Sequence, residues 1–322
     1  MTLTRLYRNG KRDDTPFPLE DISELIKEES ITVWADFVDP SAKDLELIED
    51  ELGLHELAIE DALTGHQRPK LDRYDTHLFI VAYAVIIDPN TGAMKTAEVR
   101  AFVTPHALIT VHGPEFDIEK VVRRWDENSD LTSVGIGLLV WGLLDVIVDG
   151  HFDAVQQLDI SIENLEDALF DEKPKDREVQ KRSFEVRKTL VLFRRTVLPM
   201  REVVNSILRR ESFTFDAAMN PYFQDVYDHV LRVSEWTDSL RDLVATIMET
   251  NLSIQGNRAN LIMKKVTSWA AIIAVPTAIT GFYGQNLPYP GEGQPWGFWL
   301  SSALILAGSF ALYFAFKKRD WL

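Results

Sequence analysis

An α+β fold is predicted: an N-terminal α/β domain, a helical stretch, and a long stalk helix continuous with the first of two C-terminal transmembrane helices. Three observations predict it. Strand-like segments are confined to the part of the chain before residue 130. From Pro221 to Tyr283 the pattern is helical, with no further proline until Pro276 and one glycine ahead of the apolar run, Gly256. Two apolar runs, Val266 to Tyr283 and Trp296 to Phe316, follow one another near the end. A helix rises about 1.5 Å per residue and the hydrocarbon core is about 30 Å thick, so runs of roughly 18 and 21 residues each suffice to cross.

In order along the chain, residues 1–130 read as a mixed α/β domain. Ile31 to Val38 alternates as a strand does, and Leu78 to Ile87, Glu98 to Val103 and Ala107 to Val111 are further strands. Asp88-Pro89-Asn90-Thr91-Gly92 is turn chemistry between two of them. Ala42 to Leu52 and Glu56 to Leu63 read as short helices on a mixed sheet. Residues 131–216 read as a helical hairpin. Gly135 to Val148 is apolar, but Asp145 interrupts it, which suits a buried core helix better than a third span. Phe152, Val155, Leu158, Ile162, Leu165 and Leu169 continue it at steps of three and four. The return helix is expected over Asp176 to Phe213 with a kink at Pro199.

Residues 217–265 form the stalk, 266–283 the first span, 284–295 a short loop, 296–316 the second span and 317–322 a basic tail. A continuous helix from Pro221 to Tyr283 needs partners along its length. Val226, Val230, Val233, Leu240, Val244, Ile247 and Leu252 suit a parallel bundle of identical stalks, or antiparallel pairing within one chain. Lys264 and Lys265 precede the first span, Lys317, Lys318 and Arg319 follow the second, and the loop carries Glu292 as its one charge. Positive residues stay inside, so both termini are expected in the cytoplasm of a cell-membrane protein. The first ten residues hold no apolar stretch of the kind a cleaved signal has.

Composition narrows the chemistry. The chain has no cysteine, which removes disulfides, thiolate metal sites and a cysteine nucleophile. A formal net charge of −16 argues against nucleic acid and suits either cations or simple solubility. The seven histidines are scattered, and His55-Glu56 is followed by Ile59 where a zinc protease needs its second histidine, so no enzyme class is indicated.

From the end of the stalk through the first span, Asn260, Met263, Thr267, Ala270, Ala274, Thr277 and Gly281 fall on one helical face. Small residues on one face also serve plain helix packing, and alone they favour it. Asn260 and Thr277 add uncharged oxygens of the kind a partly hydrated cation uses. No charged side chain lies between Lys265 and Lys317 except Glu292 in the loop, so the membrane-depth ionisable group of a proton-coupled carrier is missing and passive electrodiffusion fits better.

These residues carry a resemblance. The run Thr267 to Asn286, ending Tyr283-Gly284-Gln285-Asn286, resembles the first span and signature loop of the CorA-type magnesium transporter family, whose hallmark is Tyr-Gly-Met-Asn. The second span with its Lys317-Lys318-Arg319-Asp320-Trp321-Leu322 tail, and His66-Gln67-Arg68-Pro69-Lys70 in the soluble part, are also similar to it, over essentially the whole chain. The resemblance implies a funnel-shaped homopentamer whose first spans line one pore across the lipid bilayer, carrying divalent cations. Asn286 is then the outer ring; the Gly281 carbonyls, Thr277 and Asn260 are rings below it; Met263 and Val266 form an apolar constriction. Glu249 is an acidic ring at the inner exit, and Glu292 gathers cations outside.

The resemblance further implies closure by intracellular Mg²⁺ held between subunits, with Asp225 on the stalk and Asp88 across the interface as ligands. Mg²⁺ is thus expected both as cargo and as regulator, with no organic cofactor. The signature departs from the family at Gln285, where methionine is usual. An amide facing the ion would alter preference among Mg²⁺, Co²⁺, Ni²⁺ and Zn²⁺, and the wider family includes zinc transporters. A membrane-anchored sensor or scaffold that moves no ion explains the two spans equally well, but not the stripe or the Gly284 and Asn286 loop.

Overall fold

The computed structural model describes residues 2–88, 93–170, 176–209, 215–285 and 288–322. The first half builds one seven-stranded sheet: β1 (Thr2–Arg8), β2 (Lys11–Asp13), β3 (Ile31–Val38), β4 (Lys70–Arg73), β5 (Leu78–Ile87), β6 (Met94–Val103) and β7 (Ala107–His112). The strand order is β2-β1-β3-β7-β6-β5-β4. The sheet is mixed, as expected: β3 and β7 pair in parallel at its centre, and the other neighbours are antiparallel. Both central strands are buried on both faces, which explains why they read as nearly unbroken apolar runs.

Helices α1 (Ile22–Leu25), α2 (Ala42–Leu52) and α3 (Glu56–Thr64) cover one face. Val33, Ala35 and Phe37 meet Leu45, Ile48, Ala58 and Ala62 there. Helix α2 starts at a capping box, with Ser41 and Asp44 bonding each other's backbone, and stops at Gly53 in the left-handed region (φ 59°). The opposite face takes α4 (Ile118–Glu127) and α5 (Ile136–Leu169). Trp34 of β3 meets Trp125 of α4 edge-on at 4.9 Å, and the Trp125 indole N–H donates to the Leu139 carbonyl of α5 at 3.1 Å. The first turns of α5 are buried from Ile136 to Asp145, so this run is a core helix and not a third span. Arg124 neutralises the buried Asp145 and also reaches Asp149 at 2.8 Å.

The hairpin partner of α5 differs from expectation. In place of one kinked helix over Asp176 to Phe213 there are two, α6 (Asp176–Val197) and α7 (Met200–Leu208); residues 210–214 lie outside the described ones. Pro199 lacks an N–H and its ring excludes the carbonyl four residues back, so the ladder stops and Pro199 becomes the cap of α7. Strands β1, β2 and β4 and helices α1 and α4 also stand where no element was expected.

Helix α8 spans Asn220–Tyr283 without interruption and α9 spans Pro295–Lys318. Among the described residues, two helices are long and apolar enough to cross a membrane, α8 through its apolar part and α9. The chain divides into two compact units, Met1–Ile247 and Met248–Leu322. In the first, Phe223, Val226, Val230, Val233, Leu240 and Val244 form the buried face of α8.

Candidate functional site

In the second unit, α8 and α9 approach closely enough that a Cβ on Gly308 would lie 2.9 Å from the Val275 side chain. Along residues 266–283 the shielded α8 positions are Ser268, Ala271, Ile272, Val275, Pro276, Ile279 and Tyr283. At about 100° per residue these centre on the side of the helix opposite to the polar stripe. Asn260, Met263, Thr267, Ala270, Ala274, Thr277 and Gly281 are all exposed. The second span therefore leaves the stripe uncovered, and packing against α9 is not what it serves. Val266 is exposed beside it, and Asn260 and Met263 line a recess with Asn257, Leu261 and Lys264.

The Thr277 oxygen on this face is presented as an acceptor. Thr277 Oγ1 donates its proton to the Ile273 carbonyl at 2.9 Å, which leaves its lone pairs outward. The waters of a hydrated cation are donors, so an acceptor is what they require. Among the described residues, nothing lies within 4 Å of a Cβ added at Gly281, so none of them requires glycine there. Gly284 is different: its N–H donates to the Thr280 carbonyl at 2.9 Å, and a Cβ would press on that same carbonyl at 3.0 Å.

Beyond Gly284 the loop begins with exposed Gln285, whose N–H reaches the Phe282 carbonyl at 3.3 Å. Asn286 lies outside the described residues. Farther on, Tyr289 stands edge-on to Tyr283 at 5.0 Å. Gly291, at φ +94°, comes so near Gly297 that a Cβ on Gly297 would sit 2.5 Å from the Gly291 carbonyl oxygen. Glu292 is exposed at the tip.

In the first unit, Asp225 is exposed on α8 with His229 Nε2 3.8 Å from its carboxylate. Asp88 is half-buried at the end of β5, its N–H held by the Ala93 carbonyl at 2.9 Å. Among the described residues no group of three His, Asp or Glu side chains could hold a metal within one chain. Neither aspartate thus belongs to a ready-made site here. Glu249, in the second unit, is exposed on α8.

The His66-Gln67-Arg68-Pro69-Lys70 segment ties α3 to the sheet. His66 N–H donates to Glu98 at 2.7 Å, the Tyr83 hydroxyl donates to the Gln67 carbonyl, and Lys70 bridges Asp61 and Asp72. A buried network that sequence reading missed crosses the central strand pair. Trp34 donates to Thr110 at 3.0 Å, Thr110 donates to Asp36, and His112 Nε2 lies 3.2 Å from Asp36 with its Nδ1 2.7 Å from the Gly113 carbonyl. Both His112 nitrogens face acceptors, which favours the doubly protonated ring. Burial opposes that charge, but bonding to Asp36 and its charge outweigh it and raise the His112 pKa. His151 and His77 go the other way: burial lowers each to about 4.

The sequence matches the family described as CorA-like Mg²⁺ transporter protein over residues 29–318. A "Cobalt/magnesium transport protein CorA" of Thermotoga maritima is 30% identical over 274 residues, covering 84% of this chain and 77% of the relative. Its namesake in Methanocaldococcus jannaschii is 25% identical over 305 residues, covering 94% and 95%. The solved complete structure of the CorA magnesium transporter of M. jannaschii superposes with a TM-score of 0.79 at 24% identity, over 100% of this chain and 99% of that one, a likeness of fold. The mixed sheet, the long helix running on into an apolar segment and the second apolar helix all have counterparts in that fold. With the match extending over nearly the whole sequence, the chain belongs to the CorA-like Mg²⁺ transporter family.

Proposed function

We propose that this chain is one subunit of a homopentameric channel that passes Mg²⁺, and related divalent ions, inward across the cell membrane down the membrane potential. The observation that carries the reading is the uncovered acceptor stripe on α8, opposite the face packed by α9. Five copies placed with that face inward would make successive rings from Gly281, Thr277 and Asn260, with Met263 and Val266 as an apolar constriction. Mg²⁺ sheds water reluctantly, so rings of hydroxyl, amide and carbonyl oxygens suit a hydrated ion. At about 2.3 kcal/mol per charge per 100 mV, a divalent ion gains roughly 4.6 kcal/mol on entry, so no coupling ion is needed. Residues 266–283 and 296–316 cross the bilayer in this reading, with both termini in the cytoplasm. Glu292 collects cations outside and Glu249 receives them inside.

The test is flux into liposomes holding the purified protein and a Mg²⁺-sensitive dye, under an inside-negative potential, with Zn²⁺, Co²⁺ and Ni²⁺ as competitors. Potential-driven Mg²⁺ entry supports the reading and places Gln285 among tolerated residues. Zn²⁺ entry without Mg²⁺ would assign the chain a zinc cargo, and no flux of any ion would leave a membrane-anchored sensor. Gly281→Ala sharpens the same assay: the added methyl meets none of the described residues and improves helix propensity by about 1 kcal/mol, so the protein folds as before. Flux falls several-fold as the ring narrows; unchanged flux would take Gly281 off the pathway.

Closure by intracellular Mg²⁺ follows if Asp225 and Asp88 of neighbouring copies share the metal: without it the carboxylates repel and the packing loosens. Asp225→Lys replaces that repulsion with a fixed attraction to acidic partners. The variant is expected to stay closed at low internal Mg²⁺, with flux at least several-fold below wild type. A wild-type Mg²⁺ response would remove Asp225 from regulation.

A further inference from the structure

The tail after α9 is folded, not frayed. Asp320 adopts φ 55°, its N–H donates to the Lys317 carbonyl at 3.2 Å, and the Trp321 N–H donates to the Phe316 carbonyl at 3.0 Å. The Trp321 ring stacks on Phe316, with centroids 5.6 Å apart and planes 10° apart. Two such bonds with an apolar contact across them make a Schellman closure, here with aspartate in the left-handed position that glycine usually takes. Lys317, Lys318 and Arg319 are therefore held at the helix end, exposed, and form no ion pair among the described residues. The Lys317 ammonium sits 5.9 Å from the Tyr313 ring centroid.

The other span adds to this cluster. Val275 and Gly308 face each other, ten residues before Val275 stands Lys265, and ten residues after Gly308 stands Lys318. Antiparallel helices of equal rise bring these two lysines to one level, with Lys264 and Arg319 next to them. A chain with net charge −16 thus gathers five cations at one end of its membrane hairpin, while the other end carries Glu292 and no Lys or Arg. Beneath Lys318 runs a ladder at steps of four, Leu306, Phe310 and Phe314, each more than half exposed. A cationic head above an apolar track has the shape of one amphiphile.

We propose that an anionic phospholipid of the surrounding bilayer binds here, its phosphate against Lys318, Lys317 and Arg319 and its acyl chains along Leu306, Phe310 and Phe314. A soluble anion would use the cations but not the ladder. A zwitterionic lipid would use the ladder but bring no net charge to the cations. The stacked Trp321 sits at headgroup level, where an amphipathic ring is favoured. The inference rests on the membrane-spanning reading but not on ion flux: a protein that binds the lipid and moves no ion would keep this inference and lose the transport reading.

The experiment uses the full-length protein, delipidated in a neutral detergent, titrated with phosphatidylglycerol or phosphatidylcholine while thermal unfolding and retained phospholipid are measured. Phosphatidylglycerol is expected to bind saturably and raise Tm, and phosphatidylcholine to do so far less. With each cation contributing as charges near an anionic surface do, the Lys317→Gln, Lys318→Gln, Arg319→Gln triple variant loses affinity roughly a hundredfold. Raising salt to half-molar with the wild-type protein weakens binding in the same direction, which keeps the test open if the variant is poorly folded. Trp321→Ala, which unstacks the closure, weakens it several-fold. Equal stabilisation by both lipids, undiminished affinity in the triple variant, or the same Tm rise with inorganic phosphate would each overturn the proposal.

Discussion

Asn286→Ala is expected to abolish Mg²⁺ uptake in the liposome assay while the protein still elutes at its wild-type oligomeric size. The proposed outer ring offers amide oxygens to the waters around Mg²⁺, and alanine offers none. A hydrogen bond to a charged group is worth roughly 1.5–3 kcal/mol, so losing even two from the ring corresponds to a hundredfold or more in ion capture. Assembly is spared because the substitution takes away a polar amide and no apolar side chain. Asn286→Gln keeps the oxygen one methylene away and is expected to retain partial uptake. Wild-type rates in the alanine variant at equal protein would take Asn286 off the pathway and shift attention to Gln285 and the Thr277 ring.

Asp36→Ala is expected to be the most destabilising single change in the sheet domain. Asp36 and His112 are almost wholly buried, at 0% and 3% exposed, and each satisfies the other. Removing one partner of a buried pair costs about 3–5 kcal/mol, against a typical domain stability of about 5–15 kcal/mol. The same pair sets a pH dependence. The folded His112 pKa lies above its ordinary value of 6.5, so its contribution to stability is complete below that value and disappears as pH rises through the raised one. His151 and His77, lowered to about 4, act oppositely and below that range: folding then keeps them neutral, and stability falls as pH drops from 6.5. Urea unfolding of wild type and His112→Gln at pH 6, 7, 8 and 9 isolates the term. The gap between them should shrink with rising pH, and a constant gap would mean that His112 carries no charge in the fold.

Particular residues explain how far the sequence could be read. Ser41, Asp44 and Gly53 bound α2 by local hydrogen bonding, and its limits were legible for that reason. The unbroken periodicity of α5 and α8 was legible too. Asn9-Gly10, with φ 49° and 69°, closes the β1–β2 hairpin and is a strong turn signal that the reading passed over. Ile118, Val121, Val122 and Trp125 had the spacing that marks α4. Strand β4 was harder: Lys70 to Arg73 are all half-buried at a sheet edge, so no alternation marks them. The polar stripe was legible as a face, but whether α9 covers it was not, and the Val275 and Gly308 approach shows that α9 packs on another side of α8. Asp88 and Asp225 carry no local signal of the regulatory role proposed for them, because a ligand set shared between copies would leave no spacing within either one.

The close approach of Gly291 and Gly297 bears on how the protein is made. Backbone this near to backbone folds the end of the loop onto the first turn of α9, while Tyr289 against Tyr283 holds the loop to the end of α8, and the turn so formed carries one formal charge, Glu292. With both termini in the cytoplasm as proposed, such a hairpin would pair its helices and enter the lipid as one body, with the lysines on both flanks left behind to anchor it. Bulkier residues at either glycine would pry the turn open during biogenesis, and the defect would appear as degraded nascent chain before it appeared in any property of the mature protein.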